Sequence, residues 1–592
     1  MSTHKRSITR SDEPREKKIF FELKRFVLIV FLVLIISYLH PIKPVFSETR
    51  YVPSQYPTIQ AAVYSAVAGD TIQVAPGIYY EHIFVNISLT VLGADPQTTI
   101  VDGTGNGTVF TLDGSNIYIS GFTIRNAGTN NSAIASLKET ATSDHHMIRN
   151  NIITTNGNGV YLSYSNYDTI FNNTFINNIF GGVVLASAGN TNITANTIIE
   201  GPYGIKAQLS TNNIIIGNTI SQTSYAIYLS SASSGNTIRS NVLSGKTACV
   251  YSNSDNTIID HNTLIDGASG IYLYNCESAS VYYNICRNSS YGIRLYCLSS
   301  TGTSHTISNN KILYTDWAIE IVYSDGNTLT GNWLQQNTYG IYIGTGNSNT
   351  IYRNNFVNNS MQAYSGIGTG NTWNKNIQGK NQGNYWSDYT GADADGNGIG
   401  DTPYRIAPIG ADNYPLMTTW SEHDIEIKGV TPSTNEANSG ATINITVTVY
   451  NRANTSTSET FTVTAKYNST IIGTKAVSNL AQGATQILIF NWNTTGVALG
   501  NYTISAVASV VSDELNTDNN SFTDGAVKIE MIGDCDGDGD VDYNDFIVLA
   551  GAYGSAVGQP AYKPEADFDG DGDVDYNDFI KLAGNYGKSV PP

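Results

Sequence analysis

Gly270-Ile271-Tyr272-Leu273, Gly292-Ile293-Arg294-Leu295 and Gly340-Ile341-Tyr342-Ile343 are copies of one tetrapeptide, and their spacing decides the fold. Other copies are Gly159-Val160-Tyr161-Leu162, Gly182-Val183-Val184-Leu185, Ala226-Ile227-Tyr228-Leu229 and Ala318-Ile319-Glu320-Ile321. With Gly204 and Ala248 included, the starts advance by one nearly constant step, lengthened only between Gly292 and Ala318. A second register of Asn196, Asn218, Asn241, Asn262, Asn284, Asn310, Asn332 and Asn354 runs in phase with it. A fixed period of about 22 residues, built of short alternating segments, predicts a solenoid of β-strands. The architecture expected is a right-handed parallel β-helix.

Stacking explains the pattern. Equivalent positions of successive coils lie about 4.8 Å apart, the inter-strand distance of a sheet. Alternation sends Ile271 and Leu273 inward, so aligned apolar residues build one continuous core. The recurrent Asn is expected at a turn, bonded to backbone and to the next Asn. Cys249 is expected in line with Ile271, as a core residue. Cys276 and Cys297 are nearly one period apart and so fall on neighbouring coils, a spacing that permits a disulfide without requiring one.

Thr58-Ile59-Gln60-Ala61-Ala62-Val63 reads as a short amphipathic helix capping the first coil, which would otherwise expose its core. With Gly121-Phe122-Thr123-Ile124-Arg125-Asn126, this entry resembles the pectin-lyase-like superfamily, and within it the NosD-type β-helix proteins. Asn384-Tyr385-Trp386-Ser387-Asp388-Tyr389, Gly400-Asp401-Thr402-Pro403-Tyr404 and Asn413-Tyr414-Pro415-Leu416 are similar to the tail of such members. The resemblance covers roughly 51–420, and we assign 48–421 to the β-helix. Residues 422–529 lose the period and gain strands such as Thr442-Ile443-Asn444-Ile445-Thr446-Val447-Thr448-Val449, which suggests a β-sandwich. Val449-Tyr450-Asn451, Phe490-Asn491-Trp492 and Asp518-Asn519-Asn520 resemble the CARDB type of Ig-like domain. Trp492 is expected in its core.

Residues 530–592 carry two near-copies of one acidic loop. Asp534, Asp536, Asp538, Asp542 and Asp545 occupy loop positions 1, 3, 5, 9 and 12 of the first. Asp567, Asp569, Asp571, Asp575 and Asp578 do so in the second. Each has Gly at position 6, and Asp540 or Asp573 at position 7 to offer a backbone carbonyl. That oxygen set is what a Ca²⁺ loop of the EF-hand type requires. Each loop leads into one short helix, and no convincing helix enters it. Loop and exit helix in duplicate resemble a type I dockerin, which implies a cohesin-like protein as partner. Asp393, Asp395, Asn397 and Asp401 form a truncated version, read equally well as a Ca²⁺ loop or a turn.

The net charge of −18 is concentrated in these loops: ten of the 49 acidic residues are their ligand positions. No basic stripe exists to neutralise phosphates, so nucleic acid is excluded as a partner. Near the N-terminus, Lys17, Lys18, Lys24 and Arg25 precede an apolar run from Phe26 to Leu39, short for a membrane span. We read 1–47 as a signal peptide with cleavage after Val45-Phe46-Ser47, or alternatively as an uncleaved membrane anchor. Either reading places the rest outside the cytoplasm, extracellular or on the cell surface. About a dozen Asn-x-Ser/Thr sequons, including Asn86, Asn192, Asn288, Asn444 and Asn501, agree.

Chemistry is less legible. The catalytic signatures of polygalacturonases, alginate epimerases and pectin esterases are absent. A copper site needs clustered soft donors, and only His145, His146 and Met147 cluster. The third positions of the tetrapeptides, Tyr161, Val184, Lys206, Tyr228, Val250, Tyr272, Arg294, Glu320 and Tyr342, are expected along one outward face. Tyr161, Tyr228, Tyr272 and Tyr342 are the carbohydrate-binding candidates, since aromatic rings pack on sugars. Arg294 and Glu320 sit on adjacent coils beside the extra residues at Leu298–His305, and are the catalytic candidates; the plainer reading is a surface ion pair. The function expected is polysaccharide binding joined to calcium-dependent docking. The alternatives are a polysaccharide lyase or glycoside hydrolase of a dockerin-assembled complex, and a NosD-like copper-maturation factor.

Overall fold

Short parallel strands rich in Ile, Val and Thr stack from Thr49 to Tyr352 in a fourteen-stranded sheet, one strand per coil. The computed structural model describes residues 47–589. The leader or anchor segment therefore lies outside the described residues, except for Ser47. A representative coil holds strands Ile258–Asp260, Thr263–Ile265 and Ser269–Tyr274, giving three faces. Its partners in the next coil are Ser280–Tyr282, Ile285–Arg287 and Tyr291–Gly302, all parallel and in register. The chain thus winds as a parallel β-helix, right-handed as parallel crossovers are. Inward residues such as Ile215, Ile238, Ile259, Val281 and Ile307 are fully buried in one continuous core that runs from Val52 to Ile406.

Polar corners hold the coils in register. The Nδ2 of Asn262 donates to Oδ1 of Asn284 at 2.9 Å, and the backbone N–H of Asn262 donates to the same oxygen at 3.0 Å. The same pair of bonds repeats along the ladder from Asn151 to Asn384. Each amide of the ladder also donates to a backbone carbonyl, as Asn262 Nδ2 does to Ile238 and Asp260, so these buried amides are satisfied. The ladder ends on Asp412, which accepts from the backbone N–H of Asn384 at 2.7 Å and from Trp386 Nε1 at 2.9 Å. Burial drives the Asp412 carboxyl up to about 6 against these bonds.

Both ends are closed. The helix Ile59–Ser65 begins at Thr58, whose side chain accepts from Ala61 N–H, and it buries Ile59, Ala62 and Val63 over the first coil. At the other end Trp386 stacks between Phe356 and Tyr404, with centroids 4.1 Å away on each side.

One expectation about the coils needs correction, and one open question is answered. Val250, not Cys249, is the register partner of both Ile227 and Ile271, because this coil is one residue longer before the strand and one shorter after it. Val250 therefore points inward and is buried, and Tyr251 takes the outward place; Cys249 is nonetheless in the core. Cys276 is a buried thiol rather than half of a disulfide, its Sγ lying 3.6 Å from the Ser252 carbonyl that accepts its proton.

After Trp420 the parallel ladder gives way to antiparallel strands. A three-stranded sheet (Ile425–Pro432, Thr442–Asn451, Thr485–Asn493) faces a five-stranded one that contains Glu459–Tyr467 and Gly500–Ala508. The sandwich core includes Trp492, 2% exposed, whose ring stacks on Tyr467 at 4.7 Å. A third and much smaller core, which includes Val541, Leu549, Val574 and Leu582, lies beneath the helices Tyr543–Ala552 and Tyr576–Asn585. Among the described residues no helix is long and apolar enough to cross a membrane.

Candidate functional site

The outward row of one face reads Tyr161, Val184, Lys206, Tyr228, Tyr251, Tyr272, Arg294, Glu320, Tyr342 and Tyr364, each paired with the next in register. The fold brings the expected Tyr228 and Tyr272 together with Tyr251. Tyr161 stands apart from them, separated by Val184 and Lys206, and Tyr342 lies beyond the charged pair. A second aromatic row, Tyr203, Tyr225, Tyr291, Trp317 and Tyr339, flanks the first and was missed. Its signal is in the sequence: each of these residues immediately precedes the first residue of a tetrapeptide copy.

Ring geometry changes what this face offers. Tyr228 and Tyr251 stack at 4.8 Å with planes 5° apart, and Tyr342 and Tyr364 stack at 4.8 Å with planes 8° apart. Tyr291 and Trp317 stack at 4.9 Å, while Tyr251 and Tyr272 meet edge to face at 5.4 Å. Neighbouring coils thus cover much of one another's ring faces, and the rings are half-buried. The phenols of Tyr228, Tyr251, Tyr272, Tyr342 and Tyr364 make no hydrogen bond to the described residues. Burial raises the pKa of Tyr228 and Tyr272, so their hydroxyls stay protonated and able to donate.

Arg294 and Glu320 interrupt this comb. The Arg294 Nε donates to Glu320 Oε2 at 2.5 Å, and Glu320 is only 7% exposed. The guanidinium lies 5.1, 4.4 and 5.2 Å from the rings of Tyr272, Tyr291 and Tyr296. Burial pulls the Arg294 pKa down, but the Glu320 charge and hydrogen bond prevail and raise it. The extra residues of this coil form a bulge after Tyr296, and Leu298 at the bulge is exposed. An ion pair locked inside an aromatic box is suited to fixing a surface. As it stands it holds no loosely tethered acid or base.

The C-terminal loops have a different chemistry. Carboxylate oxygens of Asp534, Asp536 and Asp545 lie within 4.8 Å of one another, as do those of Asp540, Asp542 and Asp545, and those of Asp567, Asp569 and Asp578. The side chains of Asp538, Asp571, Asp573 and Asp575 are outside these triads. Gly539 and Gly572 adopt φ of +92° and +95° at loop position 6, a conformation that favours glycine. Partial desolvation, and then Asp538, Asp545 and Asp534, hold Asp536 above the ordinary carboxylate range. The buried Asp545 accepts from Cys535 N–H at 2.6 Å, and Asp578 from Phe568 N–H at 2.6 Å. The two halves also exchange backbone bonds. Val541 pairs with Gly587 and Lys588 after the second helix, and Val574 pairs with Gly554 and Ser555 after the first. The all-oxygen donors and their crowding fit a hard divalent cation.

The 393–401 loop is wired in a similar way. Asp393 accepts from Asn397 and Gly398 N–H, and Asp401 accepts from Ala394 N–H as Asp545 does from Cys535. Its carboxylates are not brought into a triad.

Comparison with known proteins decides the family. The model of NosD, described as a periplasmic copper-binding protein, matches residues 64–250 and 232–391, more than half of the chain. The chain belongs to the NosD family. Residues 422–524 match the CARDB model. No curated protein matches the NosD chain significantly. Among solved structures, the CARDB domain of the PF1109 protein from Pyrococcus furiosus, in complex with di-metal ions, is 26% identical. It covers 19% of this chain and 93% of its own, with a TM-score of 0.17. The mannuronan C-5 epimerase AlgE6 A-module from Azotobacter vinelandii is 12% identical and covers 53% and 92%, with a TM-score of 0.32. An alginate lyase from Paenibacillus sp. str. FPU-7 is 13% identical and covers 48% and 94%, with a TM-score of 0.29.

The soft donors of this NosD chain do not fit the copper of the family description. His146 is buried, whereas His145 is exposed and Met147 is 37% exposed, so the three do not converge. The His146 Nδ1 accepts from Ile117 N–H at 3.4 Å, filling a corner role that Asn fills on other coils. Among the described residues, the groups of three convergent donors are all carboxylates.

Proposed function

We propose that this protein is a secreted or surface-held polysaccharide-binding protein that is docked to a partner through its C-terminal calcium loops. The observation that carries the reading is the comb of phenol edges on one rigid face. Stacked rings on adjacent coils recur near the coil spacing, Tyr228 and Tyr251 at 4.8 Å and Tyr342 and Tyr364 at 4.8 Å, close to the length of one sugar in an extended chain. Hydroxyls that neither bond to protein nor ionise suit sugar hydroxyls, with ring edges supplying the apolar contact. The stack is preorganised, so little side-chain entropy is lost on binding. Arg294 and Glu320 serve as a spacer and polar anchor within this face.

Calcium belongs to the same reading. The two C-terminal loops would each hold one Ca²⁺ through Asp534, Asp536, Asp538, Asp542 and Asp545, and through Asp567, Asp569, Asp571, Asp575 and Asp578. Asp540 and Asp573 would add their backbone carbonyls. Bound ions would supply the positive charge that the crowded carboxylates call for. Tyr543 and Tyr576, 63% and 61% exposed on symmetry-related helix starts, would then present like surfaces to a cohesin-type partner.

Affinity electrophoresis of the mature chain through gels containing neutral or acidic polysaccharides tests the reading. The Tyr228→Ala, Tyr272→Ala, Tyr342→Ala triple variant should lose about tenfold in affinity for the retarding polymer, from roughly 0.5 kcal/mol per lost contact. Undiminished retardation of the triple variant, with its melting temperature retained, contradicts the proposal.

A further inference from the structure

Where the solenoid ends, a cleft of about 540 Å³ opens between its last coils and the segment that leads into the sandwich. Arg353, Lys380, Gln382, Asn397, Tyr414 and Trp420 are among its lining residues. Its size is that of a site for one or two sugar rings.

The cleft is built rather than incidental. Asn355 pins Trp420 from both sides, accepting from its N–H and donating to its carbonyl, each at 2.7 Å. The Trp420 ring lies 4.9 Å from the Arg353 guanidinium carbon, and Gln382 Oε1 accepts from Arg353 Nε at 2.5 Å. These contacts fix the plane of the guanidinium, while its two Nη groups have no carboxylate partner among the described residues. Lys380 is exposed and makes no ion pair there either. The nearby Glu422 makes no ion pair with Arg353; its Oε2 accepts from Tyr283 at 2.6 Å and Asn309 at 3.2 Å. In a chain of net charge −18, a half-buried guanidinium beside a lysine, neither in an ion pair with a carboxylate among the described residues, is a conspicuous feature. Burial lowers the Arg353 pKa, and the Glu422 charge nearby opposes this without overcoming it.

We propose that this cleft binds the carboxylate of an acidic sugar, a uronate residue of the polysaccharide. A planar guanidinium that lines the cleft, with two Nη groups in no ion pair, accommodates a carboxylate in bidentate fashion, and Lys380 adds a second positive charge. The amides of Asn381, Asn397 and Asn454 and the hydroxyls of Thr418 and Thr419 suit sugar hydroxyls. The saccharide class rests on the function proposed above, but the site is separate from the tyrosine face.

The test is calorimetric titration of the full mature chain with trigalacturonate and trimannuronate, each against its carboxyl-reduced neutral counterpart. At least one acidic trimer should bind about tenfold more tightly than its neutral counterpart, the worth of a charge-assisted hydrogen bond. Arg353→Gln should abolish that preference, Arg353→Lys should restore part of it, and Lys380→Ala, at an exposed position, should weaken it without affecting folding. The Tyr228→Ala, Tyr272→Ala, Tyr342→Ala variant should keep the preference, which separates the cleft from the tyrosine face. Equal binding of acidic and neutral trimers, a preference unchanged in both Arg353→Gln and Lys380→Ala, or its loss in the tyrosine variant would overturn the proposal.

Discussion

Asn262→Ala should destabilise the β-helix far more than the loss of one side chain on a helix or loop would. The Oδ1 of Asn262 accepts from the Asn241 backbone N–H and from Asn241 Nδ2, both at 2.9 Å. Its Nδ2 donates to the Ile238 carbonyl at 2.9 Å, the Asp260 carbonyl at 3.0 Å and Asn284 Oδ1 at 2.9 Å. Alanine leaves the Asn241 backbone N–H without its acceptor and its Nδ2 with only the Ile215 carbonyl, in a place with no access to water. At roughly 1–3 kcal/mol for each orphaned buried group, the cost is about 2–6 kcal/mol. Because each coil rests only on its neighbours, the lesion falls in the middle of the stack, where end fraying cannot absorb it. Urea unfolding followed by circular dichroism measures the cost. Asn376→Ala serves as the control: its hydrogen bond to Asn381 at 2.8 Å is exposed and should be worth less than about 1 kcal/mol. A loss in Asn262→Ala no larger than in this control would refute the ladder as a source of stability.

Three further outcomes follow from the structure. His305 is buried with Nδ1 accepting from Ala279 N–H at 3.1 Å, and burial lowers its pKa to about 4. Its neutral form is the one the fold holds, so its contribution is whole above pH 6.5 and is lost as pH falls toward 4, by about 3 kcal/mol. His305→Asn keeps the acceptor and should flatten that part of the stability–pH curve; an unchanged curve contradicts the assignment. Trp492→Ala should cost the sandwich about 3–5 kcal/mol, seen as an early calorimetric transition while that of the β-helix stays in place. Adding EDTA should leave the β-helix strand signal intact and remove the amide dispersion of residues 532–588. Calorimetry of the full chain should count two more Ca²⁺ ions in the wild type than in the Asp545→Ala, Asp578→Ala variant. An equal count would remove calcium from those loops.

The solenoid was legible because its two registers are written in residue types that stacking demands, apolar at Ile271 and Leu273 and amide at Asn262 and Asn284. The cap helix at Thr58 and the core place of Trp492 followed from local patterns for the same reason. What failed were details that depend on neighbours in space. The slip at Val250 leaves the spacing of the tetrapeptide starts intact, and only pairing with Ile227 and Ile271 reveals it. The tyrosines were expected to offer their faces to sugars, but ring stacking between coils is invisible to a spacing argument. Arg353 and Trp420 are distant in sequence and meet only once the chain turns out of the solenoid.

Hydrogen–deuterium exchange of the full chain, with and without the polysaccharide that retards it most, tests the central claim directly. The account predicts slowed exchange in the strands bearing the tyrosine rows, at 225–229, 248–252, 269–274, 291–296 and 339–343, with no change in the fourteen-stranded sheet on another face. Protection confined to that other sheet or to the sandwich, with the tyrosine strands unaffected, would contradict it.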